Sequence, residues 1–125
     1  MKYTFNIIPV PKPRMTQSDK WAHRPSVDRY FVFANALKAS AAEREFVPKD
    51  NLCITFHIPM PESWSKKKKV FMLWKPHTQV PDIDNLIKSF LDALLTSDAH
   101  ISKLCASKIW APTYGGMIEI EQKEI

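Results

Sequence analysis

No apolar run in the chain approaches the roughly 20 residues that a membrane-spanning helix requires, and its first residues, Met1-Lys2-Tyr3-Thr4, lack the apolar core of a secretory signal. A cytoplasmic protein is therefore expected. Cysteine is scarce: Cys53 and Cys105 are the two, with no Cys-x-x-Cys pair and no Cys/His spacing suited to zinc. Both thiols are expected to be reduced and buried. The four histidines, His23, His57, His77 and His100, are scattered along the chain, which argues against a histidine-built metal centre. Internal repeats and low-complexity segments are absent as well.

The 125 residues, 45% of them hydrophobic, suffice for one compact domain spanning 1–125 and are too few for two of ordinary size. Lysine and arginine outnumber aspartate and glutamate by 18 to 13, a net charge of +5 that favours association with phosphates without saying anything about fold. Nucleic acid is the obvious polyanion.

Alternation of Tyr3, Phe5 and Ile7 against Thr4, Asn6 and Ile8 predicts a first strand over 3–8, ended by Pro9, Pro11 and Pro13. The segment Pro9-Val10-Pro11-Lys12-Pro13-Arg14 runs extended and carries Lys12 and Arg14 outward, as a stiff connector, a DNA-contacting arm or both. Ser26 is the expected N-cap of a first helix over about 27–45, in which Tyr30, Ala34, Leu37 and Ala41 recur at helical spacing. Leu52, Ile54, Phe56 and Ile58 alternate with Cys53, Thr55 and His57 in a second strand, with His57 on its more polar face. Residues 62–80 form a long connection holding Lys66, Lys67, Lys68 and Lys69 between aromatic residues. That run is solvated surface or a phosphate-binding patch, while Trp64, Phe71 and Trp74 are by default core.

The most informative stretch is Pro81-Asp82-Ile83-Asp84-Asn85-Leu86-Ile87-Lys88. Ile83, Leu86, Ile87, Phe90, Leu91, Leu94 and Leu95 make an apolar stripe that predicts a second helix over about 84–96. Asp82 and Asp84 point to one side on the approach to this helix, and hard oxygen donors so arranged suit Mg²⁺ or Mn²⁺. Lys88 shares the helical face of Asp84, and Asp92 extends that face as an ion-pair ridge. Phosphodiester hydrolysis by a carboxylate-held metal needs a further oxygen ligand. Asp98, in a turn beyond the helix, is the candidate, but a helix of about 13 residues is roughly 20 Å long. Asp98 can therefore join only if the helix ends earlier, the loop folds back, or a second subunit contributes. A short helical or irregular segment is expected at 101–104, then a strand near 105–110, a turn at Gly115-Gly116 and a final strand over 117–122 paired with its predecessor as a hairpin.

The stretch from Pro81 to Lys88, continued by Leu91-Asp92-Ala93-Leu94, by Asp98-Ala99 and by the strand containing Lys108, resembles the RusA-like Holliday junction resolvases, many of them encoded by phages and prophages. The Pro9 to Arg14 segment and the Ser63 to Lys69 run are similar to the phage branch. The resemblance implies an α+β fold with a mixed sheet and two main helices. It also implies a homodimeric, Mg²⁺-dependent endonuclease that nicks paired strands of a four-way DNA junction. Carried over residue by residue, it makes Asp82, Asp84 and Asp98 the catalytic, metal-binding acids and Lys88 the essential lysine; Lys12, Arg14 and Lys66 to Lys69 are the DNA-contacting cations. Asn85 and Asp92 are expected to serve as helix-start and ion-pair residues, and His100 as a turn residue or an outer-sphere group. One departure stands out: Ser97 occupies a position where the family carries an acid. The alternatives are a non-catalytic DNA-binding protein that retains the fold, and a nuclease for flaps or other branched DNA.

Overall fold

The structure, a computed structural model, describes residues 1–14 and 24–123; His23 lies outside them. Its elements in chain order are β1 (Lys2–Phe5), α1 (Pro25–Glu43), β2 (Asp50–Pro59), α2 (Lys66–Met72), α3 (Ile83–Leu94), β3 (Ile101–Ala111) and β4 (Met117–Lys123). The strands form one mixed sheet in the order β1-β4-β2-β3, with β2 and β3 parallel and the other neighbours antiparallel. The α+β expectation holds, with a third, short helix added.

Side chains alternate across a strand, and the sheet uses this to bury one face. Leu52, Ile54 and Phe56 of β2 and Ile118 and Ile120 of β4 are all but inaccessible, while Cys53, Thr55, Glu119 and Glu121 between them reach solvent to some degree. The helices α1 and α3 cover the buried face. Tyr30, Phe33, Ala34, Leu37 and Ala41 supply one side of that contact and Leu86, Phe90, Leu91 and Ala93 the other, each set at helical spacing. No helix among the described residues is long and apolar enough to cross a membrane.

Several boundaries differ from expectation for local reasons. The first strand stops at Phe5 because the Ile7 N–H bonds back to the Phe5 carbonyl at 2.8 Å, which turns the chain out of the ladder before Pro9. The first helix starts at Pro25, a residue suited to the first helical position because it has no N–H to leave unpaired, so Arg24 and not Ser26 is the capping residue. Residues 66–72, read from sequence as connection, are helical. The Ser65 side chain accepts from the Lys68 N–H at 3.2 Å and so caps that turn. The segment at 101–104 is strand, since β3 pairs with β2 from Ile101 to Ala111.

The expected hairpin between the last two strands does not form. β4 is inserted between β1 and β2, and β3 lies on the far side of β2. The link from Ala111 to Met117 therefore passes across the end of β2 where a tight reversal was expected. Gly116 serves this passage by close approach: a Cβ there would stand 2.8 Å from Ile8 Cγ1 and 3.2 Å from Ile8 Cα.

The cysteines are free but not buried as expected: Cys53 is partly exposed and Cys105 exposed. They are register partners on the uncovered sheet face. The hydrogen bond that the Cys53 thiol donates to Cys105, and secondarily burial, push that thiol up to about 11. His57 lies on that same face yet is buried, because Trp74 packs edge-on against it at 6.2 Å and Glu119 pairs with its Nε2.

His77 is buried against Trp110, with ring centroids 4.2 Å apart. Burial, and secondarily the charge of Lys108, lowers its pKa from the ordinary 6.5. A histidine kept neutral by folding gains its proton more readily in the unfolded chain. Stability is then intact above the unfolded value and falls as pH drops through about 6.5 toward the folded value. Chemical denaturation of the wild type and of His77→Phe between pH 7.5 and 5 is expected to show a steeper acid loss in the wild type.

Candidate active site

The helix α3 starts just after a segment that the sheet holds through Lys108. Lys108 stands on β3 on the same side as the buried Trp110, and its Nζ donates to the carbonyls of Gln79 and Pro81, both at 2.7 Å. A lysine turned toward the core is stable only when its ammonium is paired with acceptors. Here the acceptors are backbone oxygens of the segment that leads into Asp82. The Val80-Pro81 bond is cis. Lys108→Met keeps the stem and deletes the charge, leaving two carbonyls without their donor. A stability loss of about 2–3 kcal/mol is expected in denaturant titration, together with faster exchange of the Leu86 amide, which bonds to the Asp82 carbonyl at 3.2 Å.

Asp82 is the capping residue of α3, yet its side chain makes no capping hydrogen bond, so the exposed carboxylate is not spent on the helix. Asp84 lies in the first turn, where the helix dipole favours an anion, and its Oδ1 accepts from the Asn85 N–H at 2.9 Å. Lys88 follows one turn on and is exposed.

The question raised by helix length is answered by where the helix stops. It ends at Leu94, Leu95 is extended, and the Ile101 N–H to Asp98 carbonyl bond at 3.0 Å closes a turn that brings the chain back. As a result Asp98 lines one concavity of about 360 Å³ together with Asp84, Lys88, Asp92, Ile87 and Leu91. Asp82 is not among its lining residues. Among the described residues no three or more His, Cys, Asp or Glu side chains converge closely enough to hold a metal ion, so Asp82, Asp84 and Asp98 do not form a closed cage. Ser97 supports the returning turn, its Oγ accepting from the Ala99 N–H at 3.4 Å. His100 is an exposed turn residue whose carbonyl receives the Asp50 N–H.

A second concavity, of about 440 Å³, adjoins the first at Lys88 and is lined by Lys12, Pro13, Arg14 and Asn85. The proline-rich segment is thus connector and basic arm at once. It is held on α3 by the buried Ser89, whose hydroxyl donates to the Val10 carbonyl at 2.6 Å, and by the Lys12–Asp92 ion pair at 2.7 Å. Asp92 therefore pairs with the arm, where sequence spacing had put it in a ridge with Lys88. Lys12 also stands 5.7 Å from the Tyr30 ring centroid. The Tyr30 hydroxyl is pushed up by burial, with Lys12 opposing and Asp92 adding to the shift.

The remaining cations, Lys66 to Lys69, lie on α2 and line neither concavity. Two features of the groove escaped the sequence reading. Lys108 acts from 20 residues beyond the motif, through a contact that only the sheet creates. Asn85 and Asp92 do serve as the expected helix-start and ion-pair residues, but they also line the two concavities, for which their place on the exposed face with Asp84 and Lys88 was a usable signal.

An exposed groove with carboxylates around one lysine and a basic arm along its rim can neutralise and orient a phosphodiester. No curated protein matches the chain. A family model described as endodeoxyribonuclease RusA matches residues 5–121.

Proposed function

Because the chain belongs to the RusA endodeoxyribonuclease family, we propose that it resolves four-way DNA junctions by paired symmetric nicks, as a homodimer and with Mg²⁺ as cofactor. The observation that carries this reading is the shared lining of one concavity by Asp84, Lys88 and Asp98, joined at Lys88 to a basic concavity containing Lys12 and Arg14.

The donor set suits an open metal site. Mg²⁺ retains several waters and takes only one or two carboxylates when substrate phosphate completes its shell, so an arrangement without a closed three-acid cage is compatible with it. Asp84 and Asp98, which line the same concavity, would hold the ion, with waters and substrate phosphate completing its shell. When bound, the ion supplies neutralisation of the scissile phosphate and a more acidic water. Lys88 offsets the charge that builds on the phosphate during attack, as a fixed cation does without reorganising. Lys12 and Arg14 receive the phosphates flanking the cut. The Lys12–Asp92 pair keeps that arm on the helix bearing Asp84 and Lys88, so strand docking and acidic site share one rigid element.

A two-fold dimer suits the substrate, since a four-way junction has approximate two-fold symmetry and would meet two identical sites. The test is incubation of the protein with a synthetic immobile junction and with linear duplex, each with Mg²⁺ and with chelator. Nicks at symmetric positions of the junction that disappear with chelator are expected. Equal cutting of linear duplex, or cutting that persists with chelator, would overturn the reading.

A further inference from the structure

We propose that the concavity beside α2 receives an unstacked nucleobase of branched DNA, with the neighbouring phosphates on Lys67 and Lys68. This rests on the junction-nuclease reading and names a base-binding site within it. The concavity measures about 550 Å³ and is lined by Ser65, Lys67, Lys68, Val70 and Phe71. No residue of α2 is fully buried: its last residue, Met72, packs partly against the core, while Val70 and Phe71 stay exposed. Val70 is 77% exposed and Phe71 66%, and the two line this one concavity, where they form a joint apolar surface that a ligand can cover.

The chemistry of the rim identifies the occupant. Protein interfaces are depleted in lysine, whereas this apolar floor stands within four consecutive lysines, Lys66 to Lys69. A nucleotide presents the matching pair of surfaces, a flat apolar base beside an anionic phosphate. The Phe71 ring is already backed on one face by the Lys75 ammonium, 3.1 Å from its centroid. That leaves its other face for stacking.

The mount is firm. Lys68 lies 4.1 Å from the Trp64 centroid, and Trp64 packs on the buried Trp110 at 4.7 Å. The chain leaves α2 through Trp74, held at φ 64° by its N–H bond to the Trp110 carbonyl at 2.9 Å. A paired duplex keeps its bases stacked on one another and yields one only at an unstacking cost, whereas a branch point offers bases already freed on one face.

The experiment places 2-aminopurine at the branch point of a synthetic junction and measures fluorescence and affinity in chelator, so that no strand is cut. Wild type, Phe71→Ala and Phe71→Trp are compared on this junction and on linear duplex of the same length. Phe71→Ala is expected to weaken junction binding about tenfold, the usual effect of losing one base-stacking aromatic, and to abolish the fluorescence change seen with wild type. Phe71→Trp is expected to restore both, and duplex binding to stay unchanged in all three. Wild-type preference for the junction that Phe71→Ala leaves intact overturns the base site alone. So does an equal loss on duplex, or a change of oligomeric state in Phe71→Ala by light scattering. Wild-type protein with no preference for the junction overturns the nuclease reading, and this one with it.

Discussion

Asp84→Asn protein is expected to bind a four-way junction as tightly as wild type while nicking it some 10²- to 10³-fold more slowly, the scale of loss when one fixed electrostatic partner of a transition state is removed. The substitution is chosen for its structural silence. An asparagine oxygen still accepts from the Asn85 N–H that Asp84 Oδ1 holds at 2.9 Å, and the residue is exposed, so the fold has no reason to change. What disappears is the negative charge in the concavity shared with Lys88 and Asp98. Asp98→Asn is expected to behave alike, because it lines the same space from the returning turn. Single-turnover cleavage with Mg²⁺, beside a gel-shift titration in chelator, separates chemistry from docking. Unchanged cleavage in both variants would move the active site elsewhere on the surface. Wild-type protein that binds without ever cutting would favour the non-catalytic alternative.

Replacing Lys66, Lys67, Lys68 and Lys69 together by glutamine is expected to weaken junction binding by on the order of 100-fold near physiological salt and to flatten its salt dependence. Each phosphate neutralised by a cation adds about 0.9 to the slope of log affinity against log salt, so four engaged lysines account for up to about 3.6 of it. Titrations at several salt concentrations measure the slope directly. No residue of α2 is buried and the Ser65 cap remains, so the helix is expected to persist, which circular dichroism checks. A slope unchanged from wild type would mean that these cations face solvent in the complex and that the arm with Lys12 and Arg14 carries the DNA. The two predictions oppose each other usefully: one stops the reaction and spares binding, the other weakens binding and leaves the acidic groove untouched.

Much of the groove is legible in the sequence. The helix bearing Asp84 and Lys88 could be read because its apolar stripe has a strong 3.6-residue period, and the buried Leu86, Phe90 and Leu91 bear it out. The second strand was equally plain from its alternation. The helix α2 was missed because four lysines leave no apolar period to detect, and its boundary rests on one serine cap. The hairpin was wrongly expected because two adjacent strands separated by Gly115-Gly116 satisfy every local rule for one. Which strand lies beside which is decided by the burial of the whole sheet and not by the turn.

The order of residues alone determined the acids, the lysine one turn away, the basic arm and the balance of charge, because these depend on identity and short spacing along a regular element. Only the tertiary structure decided that Asp98 returns to the face of Asp84, that Asp92 holds Lys12, and that Lys108 clasps the loop before Asp82. Those three contacts join residues whose proximity is set by where the helix ends and how the strands are ordered. Such distances follow from packing the core as a whole, and local spacing does not encode them.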